Sequence, residues 1–139
     1  MKQITDTLWI SGQPTDAELA AARAAGVTRI INNRPEGEEP GQPTVAEAAA
    51  RAGQLGMEFV HIPVVPGQIT RKAVENFQAA VAGADGPVLA HCKSGARSLS
   101  LWAIGEVLSG RLDAAGLDEL GARHGINLAG AKAWLTDNC

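Results

Sequence analysis

The sequence predicts one α/β domain in three layers, a mostly parallel sheet of four to five strands flanked by helices. Three observations lead there. Short β-branched runs alternate with longer Ala-rich stretches of helical period, the pattern of successive βα units. A chain of 139 residues is the size of one domain. It hides roughly two-thirds of the surface its unfolded form exposes, enough for a core without disulfides or metals. Its 45% hydrophobic and 19% charged residues are those of a globular protein, not a disordered one.

The strand-like runs are Leu8 to Ile10, Val27 to Ile31, Met57 to Ile62 and Val88 to His91, with the first expected at an edge. Thr15 reads as the cap of a helix running to about Ala25, with Asp16 and Glu18 in its first turn and Gly26 as the stop. Thr44 caps a second helix to about Leu55, and Gly56 stops it. Thr70 caps a third, in which Ile69, Ala73, Phe77 and Ala80 share a face and Gly83 ends the pattern. The stretch after Ser98 (Leu99 to Ile104) is apolar on most sides, so its helix is expected at the centre of the fold. Two shorter helices, Leu112 to Ala122 and Leu128 to Asp137, close the chain. Between them all, Asn33 to Pro43 is the longest irregular stretch, rich in Glu, Gly and Pro.

The formal net charge of -3 and pI near 5.6 speak against nucleic acid as the main partner, since a phosphate backbone rewards a basic face. No apolar run approaches the roughly 18 to 20 residues of a membrane span, and the first residues lack the apolar core of a secretion signal. A cytoplasmic protein is expected. No metal and no cofactor are expected either: Cys92, Cys139, His61, His91 and His124 show no C-x-x-C or H-x-x-x-H spacing.

His91-Cys92-Lys93-Ser94-Gly95-Ala96-Arg97-Ser98 ends a strand and opens a helix. Ligands of open α/β sheets bind at that edge. The free N–H groups of the helix start and its partial positive charge favour an anion there. A cysteine so placed is expected as thiolate, with a pKa of roughly 3.5 to 7.5 against about 8.5 for a free thiol. Cys92 is therefore the candidate nucleophile, and Arg97 a fork of donors for an anionic group. Lys93, Ser94, Gly95 and Ala96 form the cradle, with Ser98 offering its hydroxyl to the sulfur or capping the helix. From Gly86 to Gly105 there is no Asp or Glu, so Lys93 and Arg97 leave the segment locally positive. His91 is read as a hydrogen-bonded orienter of the loop in preference to a base, and counts among the possible substrate-lining residues. Gln13, Asn33 and Arg34, at neighbouring strand ends, either line the substrate site or fasten loops together.

The lead-in LWISGQPT, the strand RIINNRP and the HC...G.RS loop resemble the phosphatase-like domain of the β-lactamase hydrolase-like proteins. The resemblance extends over nearly the whole chain. It implies a cysteine-phosphatase-like fold of the tyrosine and dual-specificity phosphatases. Relatives are often joined to, or encoded beside, a metallo-β-lactamase-fold persulfide dioxygenase, which implies such a partner and a place in sulfide oxidation.

The loop departs from the usual phosphatase spacing of five residues between Cys and Arg, having four, the spacing that rhodanese sulfurtransferases carry. A shorter loop is expected to close a ring suited to one outer sulfur rather than three phosphoryl oxygens. The stretch His61 to Thr70, where phosphatases of this fold keep an acidic residue to protonate the leaving alkoxide, holds no carboxylate. Glu36, Glu38 and Glu39 read as a solvated face of the 33–43 loop in preference to a substitute acid swinging in from it.

Together these favour a sulfurtransferase. Cys92 would take sulfane sulfur from thiosulfate or a low-molecular-weight persulfide, hold it as a persulfide and pass it to a thiol or cyanide. The partners are then a small sulfur donor and a thiol acceptor. The alternative is a cysteine-dependent phosphatase acting through a Cys92 thiophosphate. A third reading, a non-catalytic anion-binding module, is disfavoured by the presence of both Cys92 and Arg97. Cys139 is expected as an unpaired thiol, with a resolving role left open.

Overall fold

The computed structural model describes residues 1–138, so Cys139 lies outside the described residues. Five strands form one sheet in the order β1-β2-β5-β3-β4: β1 (Lys2–Thr5), β2 (Leu8–Ser11), β3 (Arg29–Asn32), β4 (Glu58–His61) and β5 (Val88–His91). β1 runs antiparallel to β2 and the other pairings are parallel. The expected edge position of Leu8 to Ile10 is corrected by β1, a polar strand (KQIT) with too little apolar alternation to read as one.

The helices are α1 (Asp16–Ala24), α2 (Val45–Gln54), α3 (Arg71–Ala82), α4 (Ala96–Leu108), α5 (Leu117–His124) and α6 (Ala129–Asn138). Thr15 and Thr44 each accept from the backbone N–H three residues on, while Glu18 and Glu47 reach back to the cap, closing two capping boxes. Thr70 caps α3 by accepting from the Ala73 N–H. The expected start at Leu112 is instead a short 3-10 turn, Ala114–Gly116, capped by Asp113, and α5 follows it.

Alternation along the strands sorts the core into two layers. Leu8, Ile10, Ile31, Val88 and Ala90 face α3, α4, α5 and α6, while Ile30 and Leu89 face α1 and α2. α4 is the central helix, with Leu99, Leu101, Ala103 and Ile104 fully buried. Truncating Leu99 or Leu101 to Ala would cost about 2–5 kcal/mol.

The parallel register positions the site. Ser11 pairs with His91, His91 with Asn32, and Asn32 with His61. The last residues of four strands thus stand in one row, and the segments that follow them, at residues 12–14, 92–95, 33–43 and 62–70, meet above it. β5 lies between β2 and β3, so the loop carrying Cys92 occupies the middle.

Candidate active site

The loop from Cys92 enters α4 through Gly95, whose φ of +96° is a left-handed conformation open to glycine. A Cβ there would also meet Ile10 Cγ2 at 3.2 Å. On the neighbouring strand, a Cβ at Gly12 would stand 2.7 Å from the Lys93 carbonyl oxygen, so glycine is what lets the two segments touch. The turn carries the free N–H groups of the helix start inward. Gly95 N–H donates to Cys92 Sγ at 3.0 Å. Burial pushes the thiol's pKa up, and the backbone N–H groups of Ser98, Ser94, Arg97 and Gly95 outweigh it, leaving the thiol below its ordinary value. The loop of four intervening residues therefore still makes a full amide cradle around a fully buried sulfur.

Arg97 is held by segments far away in sequence. Its Nη1 donates to Glu38 Oε2 at 2.6 Å and to the Val64 carbonyl at 2.8 Å, and its Nη2 to Glu38 Oε1 at 2.9 Å. A guanidinium has five N–H groups, of which these contacts use three. The remaining Nη2–H and the Nε–H are adjacent on one edge, a two-pronged donor with no oxygen partner among the described residues. Burial works against the charge on Arg97, but Glu38 and the Cys92 sulfur favour it more, holding the group above its ordinary pKa.

Glu38 and Glu39 are not the solvated face the composition suggested. Glu38 Oε1 also accepts from Arg34 Nε at 3.0 Å, and Glu39 accepts from Arg34 Nη2 at 2.8 Å and pairs with Lys93 Nζ at 2.7 Å. Lys93, Glu39, Arg34, Glu38 and Arg97 thus form a chain of alternating charge that ends at the Cys92 sulfur. The local positive excess read from residues 86–105 is offset by carboxylates from another loop. Hydrogen bonds from Arg97, against the cost of burial, hold the Glu38 carboxyl below the ordinary carboxylate range, with Arg34 adding to the effect. Glu36 is apart from this chain; both its oxygens accept from Val45 N–H at the start of α2.

The other expected site residues act as fasteners. Asn33 is fully buried; its Nδ2 donates to the Ile62 carbonyl at 2.8 Å and its Oδ1 accepts from Ser98 Oγ at 2.6 Å, tying β3, the end of β4 and α4 together. Ser98 therefore gives its hydroxyl to Asn33 and only its N–H to the sulfur. Arg34 is 2% exposed, and Gln13 Oε1 accepts from its Nη1 at 2.9 Å. His91 is buried against the backbone of Cys92, with no well-formed hydrogen bond to its Nδ1, and burial, outweighing that backbone contact, pushes its pKa down to about 4. Ser94 and Ala96 sit in the turn, where Ser94 Oγ accepts weakly from Ala96 N–H at 3.5 Å. What the sequence reading missed is the part Glu38 plays, as the carboxylate that holds Arg97 and Arg34. A carboxylate four residues after Arg34 was visible, but its partner Arg97 lies 59 positions away.

A cysteine in an amide cradle, with an arginine fork beside it at the carboxyl edge of a mostly parallel sheet, defines the cysteine-phosphatase-like class. Residues 1–109 match the family described as the phosphatase-like domain of β-lactamase hydrolase-like proteins, and the chain belongs to that family. It is 43% identical over 133 residues to a β-lactamase hydrolase-like protein of Agrobacterium fabrum, and 42% over 132 residues to one of Xylella fastidiosa. These matches take in 96% and 95% of this chain but 31% of each relative, so the chain spans about a third of their length.

Among solved structures, a candidate phosphatase of Neisseria meningitidis superposes with a TM-score of 0.87 at 31% identity, covering 98% of this chain and 96% of that one. The catalytic core of the phosphatase SIW14 of S. cerevisiae shares the fold, with a TM-score of 0.74 at 16% identity, over 97% of this chain and 82% of that one. These findings correct the sulfurtransferase expectation. The matching family is described as phosphatase-like, and the Neisseria structure that covers nearly the whole of both chains is described as a candidate phosphatase. With it go the rhodanese reading of the four-residue loop and the assignment to sulfide oxidation. Among the described residues, no helix is long and apolar enough to cross a membrane.

Proposed function

We propose that the domain is a cysteine-dependent phosphatase for monophosphate esters of good leaving groups, above all aryl phosphates. The observation that carries this is the edge of Arg97 formed by its Nε–H and second Nη2–H, which no oxygen of the described residues occupies and which faces the Cys92 sulfur. A fork of two parallel donors matches two oxygens of a phosphoryl group and is wasted on a single sulfur. The amide cradle stabilises the attacking thiolate and the charge that gathers on the equatorial oxygens.

In the first step Cys92 Sγ attacks phosphorus in line, the S–P bond forms, and the ester P–O bond breaks with its electron pair leaving on the alcohol oxygen. Water then attacks the thiophosphate, releasing inorganic phosphate and restoring the thiolate. The missing carboxylate of residues 61–70 acquires a different meaning in this frame. A general acid is worth roughly 10²- to 10⁴-fold, and a phenol, whose anion is far more stable than an alkoxide, depends on it less than an alkyl alcohol does. Glu38 does not replace it, because its two oxygens are already occupied by Arg97 and Arg34 and its carboxyl is held ionised.

The test is phosphate release from p-nitrophenyl phosphate and from an alkyl phosphate, with Cys92→Ser as control. Cys92-dependent release that falls by two or more orders of magnitude on the alkyl ester is expected. Release that survives the Cys92→Ser change, or none from either ester, would sink the proposal.

A further inference from the structure

A groove of about 480 Å³ opens beside Ala96 and Arg97, between the start of α4, the 66–69 segment and the length of α6. That volume is in the range of small-ligand sites. Its apolar wall is built and fixed: Trp134 is 9% exposed, packs with Ile69, and donates from its indole Nε1 to the Ile69 carbonyl at 2.9 Å. Asn127 lies just before the first turn of α6 and Asp137 in its last, so the groove runs for one helix length, roughly 15 Å at 1.5 Å per residue.

Its charge is lopsided. Besides Arg97, Asp137 is the one charged side chain lining the groove, and it is exposed with no ion pair or hydrogen bond among the described residues. Two cations of the surrounding helices are already engaged. Lys132 pairs with Asp118 at 3.0 Å. Arg71 does not line the groove; its guanidinium sits 5.2 Å from the centre of the Trp134 ring and donates to the Asn138 carbonyl.

We infer that this groove is the subsite for the body of the substrate, and that it selects a phosphotyrosyl peptide with a Lys or Arg within a few residues of the phosphorylated one. The inference rests on the aryl phosphatase reading of the adjacent cysteine. A phosphoryl group on the Arg97 fork leads its ring onto Trp134 and Ile69. An extended peptide advances about 3.3 Å per residue, so a basic side chain a few residues along falls beside Asp137. Bodies bearing further phosphates or carboxylates meet an unpaired carboxylate, with the neighbouring Arg71 already held on the Trp134 ring and the Asn138 carbonyl, and are disfavoured.

The experiment compares two phosphotyrosyl heptapeptides differing only in Lys or Glu at the flanking positions. Both are titrated at low salt against Cys92→Ser, which binds without turnover, and against the same protein carrying Asp137→Asn or Asp137→Lys. The Lys peptide is expected to bind Cys92→Ser about three- to five-fold more tightly, the scale of one exposed ion pair. The preference disappears with Asp137→Asn and inverts with Asp137→Lys. Equal binding of the two peptides, or a preference untouched by both Asp137 changes, overturns the inference. Turnover of p-nitrophenyl phosphate by the unaltered protein decides the reaction separately, since that substrate is too short to reach Asp137. A failed reaction and a failed subsite are thus distinguishable.

Discussion

Two loops build this site, and they differ in how their parts find one another. The 92–98 segment is contiguous: nucleophile, glycine turn, cradle amides and Arg97 follow within seven positions, and the backbone alone brings them together. The 33–43 loop contributes at a distance. Its Glu38 and Glu39 meet Arg97 and Lys93 only because β3 and β5 pair in register, Asn32 beside His91. The first loop makes an anion site wherever a strand feeds a helix. The second decides which edge of Arg97 stays free to use it.

The largest way to test that division is at the fork itself. Arg97→Lys keeps the positive charge and removes the planar pair of donors, so a site that needed only charge would tolerate it. Turnover of an aryl phosphate is expected to fall by about 10²- to 10³-fold, the usual cost of losing an oriented donor to a transition-state oxyanion. Retention of more than a tenth of the activity would mean that the charge suffices and that the orientation supplied by the 33–43 loop is immaterial.

A second test concerns the root of the contiguous loop. His91 is buried with Nδ1 unpartnered, and its pKa is pushed from the ordinary 6.5 down to about 4. The unfolded chain takes up this proton as pH falls below 6.5, while the folded chain resists until about 4. Stability is therefore whole above the unfolded value and is lost as pH falls through that window. At 1.36 kcal/mol per unit the loss amounts to about 3 kcal/mol at pH 4. In urea titrations at pH 7 and pH 4.5, His91→Gln is expected to narrow the acid-induced drop in midpoint relative to the parent. An identical drop in both proteins would show that the histidine is protonated freely in the fold.

The same contrast explains what was legible beforehand. The βα order, the Thr15, Thr44 and Thr70 caps, the central helix and the pairing of Cys92 with Arg97 are local, so periodicity and spacing reveal them. β1 was not legible, because a four-residue polar strand on the sheet's edge has no buried face to announce itself. Nor was the role of Glu38, since a glutamate in a Pro- and Gly-rich loop looks the same whether water or two guanidinium groups surround it. The four-residue spacing of the loop misled in the other direction. Counting residues suggested a ring fit for one sulfur. Folded, the turn at Gly95 still aims several N–H groups at the centre, and Arg97 adds two donors from the side.

The smallest expected effect is also the most specific to the distant loop. Glu38→Gln keeps the shape of the side chain but leaves one amide oxygen where two carboxylate oxygens received Arg97 and Arg34. Two consequences pull apart. A looser Arg97 stabilises the transition state less well, so kcat should fall about tenfold. Removing a negative charge near the phosphoryl site favours a dianionic substrate, so KM should stay level or drop. A residue that merely held the fold would raise KM and lower kcat together. Acid unfolding supplies a second reading. The folded pKa of Glu38 is depressed, chiefly by Arg97 working against burial, so the ion pair stabilises fully above the ordinary carboxyl pKa of about 4.3 and is lost as pH falls through the lower folded value. The stability gap between parent and Glu38→Gln should therefore be greatest near neutrality and shrink below about pH 4. A gap constant from pH 7 to pH 3 would show that the carboxylate contributes by shape alone, and that the distant loop supplies no charge to the site.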